Sequence, residues 1–312
     1  MRTIFLDEAT KLSGRAVATV GFFDGVHSGH RYLIDRLKAV ARENNCMSMI
    51  ITFDKHPRQV LNSDYKPMLL STLDEKLNLL SQTGIDCCVV LPFTADMADL
   101  SAHDFMKTIL SERLSVATLM IGYDNRFGHR REDGYEQYVA YGKELGISVI
   151  DSDSFSYGNG SVSSSMVRRF ISAGDVERAA ECLGRPYSLS GMVVHGEAKG
   201  RTIGFPTANI VPADADKLIP DGGVYAVLVS LDDSSTMLNG MMNIGSRPTF
   251  DGKMQTLEVH IFDFDGDIYK HSLRVFFIKK IRNERCFSSP DELAKQLETD
   301  ENVCRLQLLS RS

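Results

Sequence analysis

The stretch RAVATVGFFDGVHSGH (residues 15–30) joins a short apolar run to a turn rich in glycine. Residues 15–21 are predicted to form a buried strand, and Leu33, Leu37 and Val40 follow at helical spacing. A strand, a glycine-rich turn and a helix in this order are the repeating unit of open parallel sheets. The stretch therefore predicts an α/β fold in which this turn lies at the carboxyl end of a strand.

Strands and helices continue to alternate through the first half of the chain. Thr72 and Glu75 form a predicted capping box, Ser101 is predicted to begin a helix that reaches about Leu114, and residues 134–145 are predicted to form another helix. Apolar runs predict further strands over residues 46–53, 86–93, 116–122 and 147–150. This order predicts an α/β domain with a Rossmann-like parallel sheet that helices cover on both faces.

The pattern changes after Gly184. Strand-like segments follow one another with little helix between them, which predicts an antiparallel sheet or a small β-barrel. A C-terminal helix is predicted to begin at Ser289, with Pro290 at its first position. Because LGRPY breaks the helical pattern at this point, the predicted domains are residues 1–183 and 184–312.

Composition limits the classes of function. A length of 312 residues predicts two domains, and the net charge of −6 argues against a broad nucleic-acid surface. No apolar run approaches the ~18 residues of a membrane span, and acidic residues occupy the place of a signal-peptide core. We therefore expect a cytoplasmic protein with no nucleic-acid or membrane partner. Six cysteines without a CxxC pair predict no zinc site, and the sequence leaves the oligomeric state open.

Two histidines in the opening stretch, His27 and His30, could belong to several kinds of site. A zinc site would need a third ligand, whereas a histidine nucleophile is not excluded by the spacing, and a helix cap is the simplest alternative. The surrounding Gly21, Gly25 and Gly29 let the backbone approach a ligand, and the start of a helix offers free N–H groups to an anion. The residues themselves thus favour a phosphate site on a parallel sheet.

The motif G-x-F-D-G-x-H-x-G-H resembles the phosphate-binding signature of the HxGH nucleotidyltransferases. Three further segments, ITFDKHPRQVL (51–61), IGYDNRFGHRREDG (121–134) and SSSMVRRFISAGDVERAAECLGRPY (163–187), are similar to the FAD-synthetase module of prokaryotic bifunctional riboflavin kinase/FAD synthetases. Three positions depart from that pattern: Lys55 replaces a common proline, Ser165 the usual threonine, and Asp124 the asparagine of some members.

This resemblance implies roles for individual residues. His27, His30 and Arg168 would be catalytic and would stabilise charge as the α-phosphate of ATP is attacked. Asp124 and Phe127 would bind the flavin. The residues implied to bind ATP and its phosphates are Gly21, Phe22, Asp24, Gly25, Gly29, Ser164 and Ser165. Taken alone, the serines could be a helix cap and Arg168 part of a solvated helix face.

The second half contains GEAKGRTIGFPTAN (196–209). Thr207 and Asn209 lie two residues apart, so in an extended segment their side-chain oxygens would face one side, as a hard cation such as Mg²⁺ requires. A polar turn after Pro206 is the alternative. The segment resembles the hallmark of riboflavin kinases, and TLEVHIFDFDGDIY (256–269) resembles the strand that carries their glutamate, here Glu258.

The kinase resemblance implies that Glu258 is the general base for the riboflavin 5′-hydroxyl, whereas His260 is expected to be structural. Thr207 and Asn209 are the implied metal ligands. Further residues are implied for ATP, namely Gly196, Gly200 and Arg201, and for the flavin, namely Gly204, Phe205, Arg282 and Phe287.

The expected function is therefore a two-step enzyme with ATP as co-substrate and Mg²⁺ as cofactor. One module would phosphorylate riboflavin to FMN, and the other would adenylylate FMN to FAD and release pyrophosphate, so that riboflavin, FMN, FAD and ATP are its partners. Three alternatives stay open at this point: a kinase with an inactive transferase domain, a flavin-binding regulator without catalysis, and an HxGH transferase that acts on pantetheine phosphate or a cytidyl acceptor.

Overall fold

A computed structural model describes residues 1–61, 64, 66–122, 127–128, 133–152, 156–157, 160–196, 200, 203–249 and 252–309. The chain divides into two compact units, Met1–Ser164 and Ser165–Ser312. Contacts group the helices after Ser164 with the C-terminal strands, and the predicted domain boundary between residues 183 and 184 stays a prediction. The Asp221 amide donates to the Ile171 carbonyl at 3.4 Å, and Lys279 pairs with Glu177 at 3.4 Å.

The first unit contains a six-stranded sheet in the order β1–β4–β3–β2–β5–β6, and every pairing in it is parallel. Its strands are β1 (Arg2–Phe5), β2 (Ala16–Val20), β3 (Met47–Phe53), β4 (Cys87–Leu91), β5 (Val116–Ile121) and β6 (Ser148–Asp151). Strand β2 pairs with β3 on one side and β5 on the other, so the strand order reverses at β2. Ligands of open parallel sheets bind at the carboxyl end of such a position.

Helices cover both faces of this sheet, as the sequence predicts. They are α1 (Ser28–Glu43), α2 (Pro57–Leu61), α3 (Leu73–Ser81), α4 (Ala95–Asp99), α5 (Ala102–Phe105) and α6 (Tyr135–Leu145), with a π-helical segment at Met106–Ser111. Alternate residues of β2 enter two cores, since Val17 packs with Leu37 on one face and Ala18 with Phe105 on the other. A short hairpin, β7 (Ser156–Tyr157) and β8 (Gly160–Ser161), completes the unit.

Two predicted helix starts are confirmed by their hydrogen bonds. The Glu75 amide donates to Thr72 Oγ1 at 3.2 Å and the Thr72 amide to Glu75 Oε2 at 3.0 Å, which is the predicted capping box. The Ser101 hydroxyl oxygen accepts from the Asp104 amide at 3.0 Å. Strand β1 is not predicted by the sequence; it adds a parallel edge beside β4.

The second unit is built around a closed antiparallel barrel in the order β10–β13–β12–β11–β14–β9. Helix α7 (Ser164–Ser172) begins at the last residue of the first unit and continues in the second. The other elements of the second unit are α8 (Val176–Leu183), β9 (Tyr187–Val194), β10 (Ala208–Pro212), β11 (Gly223–Leu231), β12 (Leu238–Thr249), β13 (Gly252–Ile261), β14 (Ser272–Arg282) and α9 (Pro290–Leu309). Residues Cys304 and Leu308 of α9 pack on Val224 and Met241 outside the barrel. The predicted barrel and C-terminal helix are confirmed, and β10 is an additional strand. Among the described residues, every helix is too short or too polar to span a bilayer.

Candidate active sites

The turn after β2 has an unusual backbone. A 3₁₀ turn at Asp24–Val26 leads into α1, and Phe23 (φ 54°) and Val26 (φ 40°) adopt left-handed conformations that are rare for residues other than glycine. The buried Asp24 carboxylate accepts hydrogen bonds from the Leu70 and Ser71 amides at 2.9–3.0 Å. The Gly25 amide donates to Ser71 Oγ at 2.9 Å. Asp24 thus anchors the turn, and its predicted contact with phosphate stays a prediction.

The two predicted catalytic histidines lie at the start of α1 with their rings stacked. The ring centroids of His27 and His30 are 3.6 Å apart, and Nδ1 of His27 accepts from the His30 amide at 3.3 Å. Burial, then the His27 imidazole and the Lys76 ammonium, hold the pKa of His30 well below its usual 6.5. A neutral His30 can still donate a hydrogen bond from its ring.

Serine 164 joins this turn from far along the sequence. Its hydroxyl donates to the Asp24 carbonyl at 3.1 Å, so the predicted serine segment does reach the histidine motif within the first unit. Three polar atoms at the start of α1, namely Ser28 Oγ, His30 Nδ1 and Arg31 Nε, are buried and have no hydrogen-bond partner among the described residues. Polar atoms of this kind suit a polar ligand such as a phosphate.

A buried lysine beside this turn is absent from the sequence predictions. Lys76 of α3 is 2 % exposed, and its ammonium donates to the Phe22 carbonyl (3.2 Å), Thr52 Oγ1 (3.1 Å) and the Phe53 carbonyl (2.9 Å). Burial lowers the pKa of Lys76 to about 8. The sequence does contain one indication that Lys76 is buried, since it lies on the apolar side of α3, between Leu73 and Leu80.

Four other residues predicted to act in the first module lie in the core, on helix α7 or outside the described residues. Phe127 is buried in the core, and its ring stacks on Tyr138 at 4.5 Å, so packing explains its environment and its flavin contact stays a prediction. Ser165 and Arg168 lie on α7, where the second unit has begun. Asp124 lies outside the described residues.

In the barrel, three predicted site residues share one row of the strand register. Asn209 of β10 is opposite Glu258 of β13, Glu258 is opposite Asn243 of β12, and the row continues through Val224 to Arg282. Directly opposed residues project to the same side of a sheet, with Cβ atoms about 4.5–5.5 Å apart. Because the flanking Leu257 and Val259 are buried in the core, the row lies on the outer face of the barrel.

The glycine-rich segment lies against this row. An ideal Cβ on Gly196 would be 2.0 Å from Nδ2 of Asn209, so only glycine leaves room for that amide. A Cβ on Gly200 would meet the Phe205 carbonyl at 2.1 Å and Thr207 Oγ1 at 3.5 Å. These close approaches bring Gly196 to Asn209 and Gly200 to Thr207. Arg201 lies outside the described residues.

Residues after this segment form one wall of the site. Gly204 (φ 83°) makes the turn before Phe205, which is buried and contacts the His260 ring at 5.4 Å. His260 Nδ1 lies 2.7 Å from the Pro206 carbonyl. These contacts hold the His260 ring in place, and its expected structural role stays a prediction. A cavity of about 70 Å³ adjoins Thr207 and is also lined by Phe264 and Tyr269.

The predicted flavin residues of the C-terminal segment lie together. Arg282 lies over the Phe287 ring at 5.6 Å, and its guanidinium donates to the buried Asp300 carboxylate through Nε (2.9 Å) and pairs with it through a terminal nitrogen (2.8 Å). Gln296 also donates to Asp300 at 2.9 Å. The sequence predictions do not include Asp300, which holds Arg282 from α9.

Neither unit has a cluster of three His, Cys, Asp or Glu side chains suited to a metal within the described ranges. The implied ligands Thr207 and Asn209 carry hard oxygen atoms, which are the type that Mg²⁺ shares with phosphate and water, and Asn209 lies opposite Glu258. Metal binding by Thr207 and Asn209 stays a prediction.

Comparison with known proteins matches each half of the chain to a protein family. A family model described as FAD synthetase matches residues 9–166, and one described as riboflavin kinase matches residues 183–308. The chain is 40% identical over 289 residues to an Escherichia coli protein named bifunctional riboflavin kinase/FMN adenylyltransferase, and the match covers 93% of this chain and 91% of that protein. A Bacillus subtilis protein of the same name is 33% identical, with 96% of each chain covered.

A solved Streptococcus pneumoniae structure resembles the whole chain, with a TM-score of 0.87, 32% identity and coverage of 98% of this chain and 99% of that one. That protein is named a macrolide-efflux protein, whereas both family models and the relatives above are named for flavin enzymes. The shared fold extends over both units. With both family models in order along one chain, and relatives matched over nearly their full length, this protein belongs to the bifunctional riboflavin kinase/FMN adenylyltransferase family.

Proposed function

We propose that this chain phosphorylates riboflavin to FMN with its second unit and adenylylates FMN to FAD with its first. For the kinase, the observation that carries the proposal is the position of Glu258 directly opposite Asn209. For the transferase, it is the hydrogen bond from Ser164 to Asp24, which joins two motifs of the same family. The names of the relatives support both activities.

In the transferase, the start of α1 would bind the triphosphate of ATP. A phosphate oxygen of FMN attacks the α-phosphorus, a new P–O bond forms, and the bond to the β-phosphate breaks, so that pyrophosphate leaves with the electron pair. His27 and His30 would donate ring hydrogen bonds to the oxygens that gain charge. Arg168, on α7, would add positive charge. We assign ATP binding also to Gly21, Phe22, Gly29 and Ser165.

In the kinase, Glu258 would accept the proton of the riboflavin 5′-hydroxyl. The hydroxyl oxygen would then form a bond to the γ-phosphorus of ATP while the bond to the β-phosphate breaks and ADP leaves. Arg282 and Phe287 would contact the flavin, and the cavity beside Thr207 is a candidate place for the adenine. Thr207 and Asn209 would hold Mg²⁺, which supplies charge neutralisation on the phosphates.

The direct test is incubation of the protein with ATP, Mg²⁺ and either riboflavin or FMN, followed by chromatography of the flavins. We expect FMN and FAD from riboflavin, and FAD from FMN. A kinase with an inactive transferase would make FMN only, and a regulator would make neither. Replacing FMN with pantetheine phosphate or a cytidyl acceptor tests the remaining alternative, for which we expect no product.

Paired variants assign the transferase to the histidine motif. The double variant His27→Ala/His30→Ala should stop FAD formation and leave FMN formation intact. His103→Ala is the matched control, because this histidine lies on α5 of the same unit and pairs with the exposed Glu144. Undiminished FAD formation by the double variant would remove the histidines from the mechanism.

A further inference from the structure

The ends of β2 and β3 are tied together by one buried cation. The Lys76 ammonium donates to the carbonyl that follows β2, at Phe22, and to the last carbonyl of β3, at Phe53. Thr52 Oγ1 accepts from Lys76 and itself donates to the Phe22 carbonyl at 3.1 Å. All three ammonium protons can therefore be used at one point of the sheet.

This point lies immediately before the turn that carries the histidines. The ammonium also lies 4.2 Å from the centroid of the Phe22 ring, and Phe23 is the first of the left-handed residues. Strained backbone of this kind persists only where its surroundings hold it in place. Lys76 fixes the residue at the start of the turn, while Asp24 fixes its centre through Leu70 and Ser71.

We propose that Lys76 is a positioning residue for adenylyl transfer, and that its ammonium fixes the histidine turn and adds positive charge beside the triphosphate. This inference rests on the proposed transferase function. The positive charge of Lys76 affects the histidine turn directly, because it is one of the causes that lower the pKa of His30. A buried positive charge is poorly screened by water, so the part that Asp24 and Asp54 do not offset favours an anionic ligand at this end of the sheet.

The charge of Lys76 depends on pH within an accessible range. Burial lowers its pKa to about 8, and the groups that counter this effect are Asp24 on the turn, Cys88 on β4 and Asp54 after β3. Above about pH 8 the free protein loses this positive charge. We therefore expect kcat/KM for ATP in FAD formation to fall above about pH 8, since that parameter reports the free enzyme.

The test compares FAD formation from FMN by wild type, Lys76→Met and Lys38→Met across pH 6–10. Lys38 is the matched control, since this half-buried lysine of α1 donates to the Thr83 carbonyl and pairs with Asp35. We expect Lys76→Met to lower kcat/KM at pH 7 about 10- to 100-fold, the usual effect of small misplacement of reacting groups. Its residual activity should lack the decline above about pH 8, and Lys38→Met should match wild type.

The kinase of the same chain distinguishes the possible failures. Wild type that makes no FAD from FMN overturns the proposed transferase itself. Wild-type-like kcat/KM in Lys76→Met, or an unchanged alkaline decline, overturns the role of Lys76 alone. Should Lys76→Met fail to fold, Thr52→Val removes only the bridging hydroxyl and should lower FAD formation several-fold while FMN formation stays intact. No loss in Thr52→Val would then contradict the inference.

Discussion

Glu258 and Asn209 lie directly opposite each other across the β10–β13 pair, on the outer face of the barrel. The pairing places the proposed base beside a proposed metal ligand without any loop between them. Since both residues are held by strand hydrogen bonds, the register fixes the separation between the proposed proton acceptor and the proposed metal ligand. Enzymes gain much of their rate from such fixed geometry.

The first prediction concerns the carboxylate of Glu258 in FMN formation. Glu258→Gln keeps the size of the side chain and removes the proton acceptor, so FMN formation should fall by about 10²- to 10⁴-fold. Riboflavin binding, measured by flavin fluorescence, should persist. FAD formation from FMN should be unchanged. Glu177→Gln, which alters an exposed pair with Lys279 in the same unit, is the control. Retained phosphorylation by Glu258→Gln would assign the base to another residue.

The second prediction tests the neighbour on the other side of Glu258. In Asn243→Asp, a second carboxylate stands opposite Glu258, and two adjacent carboxylates resist ionising together. The acid limb of the kinase pH profile should therefore move up by about one unit. Asn239→Asp adds the same charge to the same side of β12, four residues away and opposite Leu228. A shift of equal size in both variants would show a general charge effect and not a contact with the base.

The third prediction uses the close approach of Gly196 to Asn209. A methyl group in Gly196→Ala would occupy the place of the Asn209 amide, so FMN formation should fall and need more Mg²⁺ for half-maximal rate. Gly222→Ala is the control, because the nearest atom to its added Cβ would be 3.5 Å away. If the two variants require the same Mg²⁺ concentration, Asn209 does not hold the metal.

Local sequence patterns predict much of this fold. They succeed where the residues that determine a helix or strand all lie within that helix or strand. The capping box at Thr72 and the helix start at Ser289 each need only four residues, and both are present. The sequence does not predict strand β10, because the five residues Ala208–Pro212 carry no clear periodicity and are ordered by pairing with β9 and β13.

The candidate sites also combine features that a local sequence pattern predicts with features that depend on contacts between distant segments. The glycines around His27 and His30 after a strand predict an anion site, and the resemblance implies a role for Glu258; both stay predictions. No local pattern relates Glu258 to Asn209 or Arg282 to Asp300. Those relations depend on register and on helix packing between distant segments. Lys76 was overlooked because a lysine in a helix is usually solvated, and only the folded sheet shows the three acceptors that surround it.

The fourth prediction concerns the ion pair that holds Arg282. Asp300→Asn leaves the mostly buried guanidinium without its charged partner, so the free energy of unfolding should fall by about 3 kcal/mol. The KM for riboflavin should rise, because Arg282 is no longer held over Phe287. Asp263→Asn removes the exposed partner of Arg305 and should change the free energy of unfolding by less than about 1 kcal/mol. Equal losses in the two variants would contradict the prediction.

The fifth prediction follows from the buried charge of Lys76. The unfolded chain keeps this ammonium protonated up to its ordinary pKa of 10.5, whereas the folded chain releases the proton near pH 8. The unfolded state therefore binds more protons between these values, and the contribution of Lys76 to the free energy of unfolding rises with pH there. Across the whole interval the gain is about 3 kcal/mol, and below about pH 8 it is absent.

Urea unfolding of wild type and Lys76→Met at pH 7 and pH 10 measures this gain. Circular dichroism is the suitable probe because the chain has no tryptophan. The difference between the two free energies of unfolding should move in favour of wild type by about 2–3 kcal/mol as the pH rises. Lys38→Met, compared in the same way, corrects for the loss of a lysine as such. If the difference between wild type and Lys76→Met is the same at both pH values, Lys76 keeps an ordinary pKa in the folded protein, and the expected alkaline decline of FAD formation must come from another group.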